Sequence, residues 1–223
     1  MELRLRYTLV CDGSSDAALM PILTKTLQTH GVACAIQPAL AETWSLPRSD
    51  PSLSSRIRLG VELYPCDLLF VHRDAEKQDP RKRKQEIARA VHEALQVSSA
   101  VPAVCVVPVR MQEAWLLTCE SALRQAAGNR TGRQPLALPQ LSDLESLPHP
   151  EKLLHALLRE ASGLGARRQR RLSVHACAVR VADYMDDLGP LRQLRAYRML
   201  EEDVDLALSG LQWATEVQHD QHQ

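Results

Sequence analysis

The chain predicts an α/β fold: a mostly parallel four-stranded sheet with helices on both faces, followed by a helical C-terminal part. Three observations carry this. Short apolar runs rich in β-branched residues alternate with helical patterns over residues 1–128. Those runs are near-continuously apolar, as strands covered on both faces are. From about residue 150 onward only helical periodicity follows. At 223 residues the length suits one large α/β domain, or a core domain with an appendage. The division is drawn at 1–128, an α/β domain, and 129–223, a helical extension packed on it.

The elements follow in order. Residues 6–11 make strand one. Residues 15–30 are helical, with Gly31 as the stop and Pro21 predicting a kink. Residues 32–37 make strand two, and a Pro/Ser-rich loop fills 38–55. Residues 56–63 form a short amphipathic helix that ends at Tyr64-Pro65. "DLLFVH" (67–72) is strand three. Asp79-Pro80 opens a helix to about Gln96, since Asp caps and proline has no N–H to waste there. "PAVCVVPV" (102–109) is strand four, and 112–127 is one helix ended by Gly128-Asn129. Residues 129–150 hold four prolines and read as loop. Helices then cover about 150–162, 168–185 and 190–210.

Bulk properties exclude several classes. Lys+Arg and Asp+Glu number 27 each, so only local patches can argue for nucleic acid. Aromatics are 4% with one Phe, poor material for a base-stacking platform. The six cysteines form no CxxC pair, which reads as reduced core thiols in a cytoplasmic protein. "MELRLRYTLVC" is too polar and short for a signal peptide, and no apolar run approaches a membrane span. Neither G-x-G-x-x-G nor G-x-x-x-x-G-K-[ST] occurs, and no serine sits in a nucleophile-elbow pattern.

Ligands bind open parallel sheets beyond the carboxyl ends of their strands. Strand one hands over to Asp12, Gly13, Ser14, Ser15 and Asp16. Strand three hands over to "HRDAEKQD", with Asp74 and Glu76, and with His72, Arg73 and Lys77 beside them. Strand four hands over to "VRMQEAW", with Arg110 and Glu113. Asp74 and Glu76 are two apart, so in extended backbone they face one side. Each piece has a plainer reading: a turn and helix cap for "DGSSD", a first-turn acid for Glu113, a buried hydrogen-bonded core residue for His72. What distinguishes them is coincidence at three strand ends. Clustered carboxylates repel, and a hard divalent cation, Mg²⁺ or Mn²⁺, resolves that while supporting phosphoryl transfer. Arg73, Lys77 and Arg110 stand ready for phosphates.

These residues resemble the Toprim domain shared by topoisomerases, primases and the overcoming-lysogenization-defect nucleases. "CDGSSD" (11–16) is similar to that family's E-G-x-x-D element and "RDAE" (73–76) to its D-x-D, with Glu113 at the place of a further acid in the nuclease branch. "HRDAE", "VPVRMQEAWLL" (107–117), "AAGN" (126–129) and "HPEKLL" (149–154) together resemble small bacterial Toprim-like proteins, some found near mobile elements or phage-defence genes. Aspartate replaces the family glutamate at Asp12, and glutamate replaces the second aspartate at Glu76. The resemblance implies a Toprim/Rossmann-like fold and a metal-dependent nuclease. In it Asp12, Asp74 and Glu76 are catalytic, with Asp16 and Glu113 completing the metal set. Asp12, one methylene shorter than glutamate, still reaches a metal but places a proton badly.

Two basic clusters complete the pattern. "PRKRKQ" (80–85) puts Arg81, Lys82, Arg83 and Lys84 at a helix start, against the macrodipole, where they would hold phosphates. "ARRQRR" (166–171) is the second. DNA or RNA is the expected partner, without a membrane, and with a partner protein or a second copy as a further expectation. A non-catalytic module that binds nucleic acid or nucleotide, and a nucleotidyl transferase, are the competing readings.

Overall fold

Four parallel strands form one sheet in the order β2-β1-β3-β4 in a computed structural model that describes residues 3–45, 52–76, 78–95 and 101–211. They are β1 (Arg4–Val10), β2 (Ala35–Ala41), β3 (Leu68–His72) and β4 (Ala103–Val106). The predicted α/β class and parallel sheet hold, with β1 and β3 central. No helix among the described residues is long and apolar enough to cross a membrane.

The two-residue period of the strands divides the interior. Leu5, Tyr7, Leu9, Leu68 and Phe70 face one side, where they meet Ile22 and Leu23 of α1 (Leu19–Thr29). Val10, Leu69 and Val71 face the other. They meet Ile57 of α2 (Leu53–Leu63) and Ile87 of α3 (Pro80–Leu95). Tyr7 packs edge-on against Phe70 with ring centroids 5.2 Å apart.

The first of these cores does not stop at the strands. It runs on through α4 (Glu113–Leu116), α5 (Glu120–Ala126), α6 (Pro150–Ala161), α8 (Val174–Val181) and α9 (Arg195–Ser209). A four-residue helix, α7 (Ala166–Gln169), lies before α8. Trp115 of α4 stacks edge-on against Tyr197 of α9 at 5.6 Å, and the Tyr197 hydroxyl lies 2.8 Å from Thr26 Oγ1 of α1. The helical part thus shares its apolar interior with the sheet.

Several boundaries differ from expectation, each for a physical reason. Pro21 makes no kink. A 3-10 turn, Ser14–Ala18, leads into α1, so Pro21 falls in the first turn, where its missing N–H has no partner to lose. Strand two begins at Ala35, because the Val32 N–H donates to the Leu27 carbonyl (3.1 Å) and Gly31 sits at φ 91° to close α1. Pro38, expected in a loop, lies inside β2, which is an edge strand and tolerates it. The single helix expected over 112–127 is two. Cys119 takes extended backbone (φ −133°, ψ 103°) between the two, and the Thr118 hydroxyl donates to the Trp115 carbonyl at 2.9 Å. Likewise 168–185 breaks between α7 and α8, and a 3-10 turn (Gly189–Gln193) precedes α9. The end of α3 at Gln96 lies outside the described residues. All six cysteines are free thiols.

Candidate active site

The order β2-β1-β3-β4 sets the ends of β1, β3 and β4 in a row, so the three acidic handovers share one edge. Asp16 is the pivot. It is buried, and its Oδ2 accepts the backbone N–H groups of Asp12 and Gly13, each at 3.1 Å. Its Oδ1 accepts Nε2 of Gln112 at 2.8 Å and the Ser15 hydroxyl at 3.2 Å. The capping reading and the site reading therefore describe one residue. Asp16 folds its own loop and ties the end of β1 to the segment after β4.

Asp74 accepts the backbone N–H of Gln112 at Oδ1 (3.0 Å). Burial pushes its carboxyl up to about 6, Asp16 and Glu76 add to that, and His72 opposes it. His72 is buried, as the plainer reading held. Its Nδ1 donates to the Val106 carbonyl at 3.0 Å, so Nε2 faces Asp74 Oδ1 at 3.6 Å and Asp16 Oδ1 at 3.9 Å. Glu113 opens α4 and is 9% exposed, and its Oε2 has no hydrogen-bond partner. Burial pushes its carboxyl up to about 7, with Asp74, Glu151 and Asp16 adding like charge and its own backbone N–H opposing. Gln112 Oε1 is also buried without a partner.

Asp16, Asp74, Gln112 and Glu113 line one cavity of about 210 Å³. Its other wall comes from the helical part: Glu151 and His155, four apart on α6, and His175 on α8. Sequence reading missed all three, along with Gln112. The i, i+4 pair Glu151/His155 was the available signal, since both are polar on the same side of an amphipathic helix.

Asp12 stands outside this cavity. Its side chain is 47% exposed, with Oδ1 2.6 Å from Arg56 Nη1 and Oδ2 3.3 Å from Arg73 Nε. Burial alone would raise its carboxyl, but Arg56 and Arg73 outweigh that and hold it below the usual range. Arg56 was not anticipated. α2 crosses the sheet so closely that a Cβ on Gly60 would lie 2.7 Å from Val10 Cγ2. Arg56, one turn earlier, also reaches the Cys11 carbonyl at 3.3 Å.

Glu76 also differs from expectation. Extended backbone would have put it beside Asp74, but Glu76 adopts φ 53° in a turn and is exposed. Its N–H donates to the Arg110 carbonyl at 2.9 Å, and Arg110 Nη1 lies 3.4 Å from the Glu76 carbonyl oxygen. The phosphate-binding set is thinned too. Arg73 and Arg83 both hold Glu86 (2.5 and 2.6 Å), Arg83 is buried against the Asp74 carbonyl, and Lys84 pairs with Asp203 of α9 at 2.7 Å. Of the α3 cluster only Arg81 and Lys82 stay exposed. Lys77 lies outside the described residues.

Among the described residues, no three His, Cys, Asp or Glu side chains are grouped so as to hold a metal by themselves. The donor chemistry nevertheless suits a hard cation: carboxylate oxygens of Asp74 and Glu113 on one cavity, with the partnerless oxygens of Glu113 and Gln112 among them. Mg²⁺ typically takes one or two carboxylates, water and substrate phosphate rather than an all-protein cage. No family model, curated protein or solved structure matches the chain.

Proposed function

We propose that the chain carries out divalent-metal-dependent phosphoryl transfer on nucleic acid, most simply as a Toprim-like nuclease. The observation that carries this is the buried Glu113 carboxylate, whose Oε2 has no hydrogen-bond partner, on the same cavity as Asp74 and Asp16. A fold tolerates such a cluster where a cation or a proton is meant to enter. Asp74 and Glu113 would hold Mg²⁺ or Mn²⁺. When bound, the cation supplies positive charge that polarises a phosphoryl oxygen. Asp16 orients Gln112, and Gln112 fixes Asp74 through its backbone N–H. Until a cation binds, burial favours the protonated Glu113 carboxyl, and the cation would take that proton's place. In hydrolysis a water oxygen bonds to phosphorus, the ester P–O bond breaks, and the leaving oxygen gains a proton.

The test is incubation of purified protein with single- and double-stranded DNA and RNA plus Mn²⁺ or Mg²⁺. Cleavage is expected that stops in chelator and in Asp74→Ala. Cleavage that persists in Asp74→Ala defeats the proposal.

One observation favours the non-catalytic alternative. Asp12, at the position of the family's glutamate, is held by Arg56 and Arg73 rather than turned to the cavity. Under that reading the chain binds nucleic acid or nucleotide, alone or with a partner protein, without turnover. Tight binding with no cleavage under any metal is its signature.

A further inference from the structure

The helical part carries a charged feature that the site above leaves unused. Arg167 and Arg168 of α7, with Arg170 and Arg171 just after it, line an outer turn of the chain, and none forms an ion pair with a described residue. All four are exposed. Six arginines elsewhere are already engaged. Arg6, Arg56, Arg73, Arg83, Arg124 and Arg192 each face a carboxylate. Four guanidinium groups within five residues repel one another, and no acid on α7 offsets them. In a chain with balanced charge this is a concentrated local excess.

Its place in the fold gives it meaning. α6 and α8 form the outer wall of the acidic cavity through His155 and His175, and the arginine segment is the link between them. Arg159, one turn beyond His155 on α6, is exposed as well. Gln169 of α7 donates from Nε2 to the Arg159 carbonyl at 3.1 Å, which ties α7 to that end of α6. A basic strip thus leads to a cavity lined by carboxylates.

We infer that Arg159, Arg167, Arg168, Arg170 and Arg171 form the docking strip for a phosphodiester backbone, DNA or RNA, that presents one phosphate to the cavity. As a substrate strip it rests on the phosphoryl-transfer reading. The chemistry selects the occupant. Guanidinium forks match phosphate oxygens, and a chain of regularly spaced anions neutralises several at once with counterion release. No residue of α7 is buried, and the segment offers no apolar face of the kind a membrane-surface helix inserts. The strip takes over the role expected of Arg81–Lys84, two of which are consumed by internal pairing.

The experiment is fluorescence anisotropy in EDTA with labelled single-stranded DNA, double-stranded DNA and single-stranded RNA, over a salt series. The variants are a quadruple Arg→Gln change at 167, 168, 170 and 171 and the pair Arg81→Gln/Lys82→Gln. The quadruple variant should bind at least about ten-fold more weakly, and its log–log salt slope should shrink by about 0.7–0.9 for each phosphate it no longer neutralises. The α3 pair should stay within about two-fold of wild type, and the tightest of the three ligands identifies the nucleic acid. Wild-type affinity and slope in the quadruple variant, with an unchanged melting curve, overturn the strip. So does failure of wild type to bind any of the three ligands. Loss of cleavage chemistry with strip binding intact would instead sink the phosphoryl-transfer reading alone.

Discussion

Asp12 and Glu113 leave the same edge of one sheet, and their surroundings are opposite. Asp12 is nearly half exposed and clasped by two guanidinium groups. Glu113 is buried, has an oxygen with no partner, and faces further acid in Asp74, Asp16 and Glu151. The strand-end position is common to both, so position alone does not decide the charge state. The covering helix does. α2 brings Arg56 to the end of β1, whereas α6 brings another acid, Glu151, to the end of β4. One carboxylate has its counter-charge built in, and the other is left for a cation or proton to complete.

The comparison breaks most visibly in catalysis. Glu113→Gln is expected to lower metal-dependent cleavage by about 100-fold or more, because it removes a carboxylate that would hold the cation. Asp12→Ala is expected to lower it by less than about 10-fold, because Asp12 stands off the cavity. Equal losses would mean that both ends serve one site.

Next in size is the pH dependence of stability. Asp74 and Glu113 have folded-state carboxyls raised to about 6 and about 7, so the folded chain retains protons that the unfolded chain has released. Stability therefore falls as pH climbs from about 4 to about 7 and levels off above that. Moving Glu113 from 4.5 to about 7 corresponds to about 3 kcal/mol. Melting curves at pH 5 and pH 8 should show wild type losing more stability than Glu113→Gln. Parallel profiles would mean that the burial penalty is absent. Mn²⁺ should raise the melting temperature more at pH 8 than at pH 5, because it binds the ionised carboxylates.

Arg56→Ala tests the other side. It removes the 2.6 Å ion pair with Asp12 and the bond to the Cys11 carbonyl. With Asp12 half in water, the expected destabilisation is about 1–2 kcal/mol in denaturant titrations, below that of a fully buried pair. A change under about 0.5 kcal/mol would show that Arg56 does not hold the loop. The smallest effect is Gly60→Ala. Helix propensity alone favours alanine by about 1 kcal/mol. The 2.7 Å approach to Val10 should cancel that gain, so a variant stabilised by the full amount would deny the close crossing that delivers Arg56.

Much of this was legible in the chain. The alternation of apolar runs pointed to the four parallel strands, and reading acids at strand ends found Asp16, Asp74 and Glu113, all of which line one cavity. What stayed hidden depended on partners distant in sequence or on one dihedral. Nothing near Asp12 announces that Arg56 will neutralise it, since that pairing depends on a helix crossing far along the chain. Nothing in "RDAE" announces a positive φ at Glu76, and alternation fails once the strand gives way to a turn. His155 and His175 belong to helices whose docking on the sheet is set by the shared core, not by local pattern.

Pro38 has a consequence beyond its placement in β2. An edge strand is a template on which a second chain can continue the ladder. At the middle of β2 the proline offers no N–H, so an incoming strand would leave one of its own carbonyls unmatched there. Pro38 thus guards this one edge against growth into a shared sheet, while β4 forms the sheet's other edge.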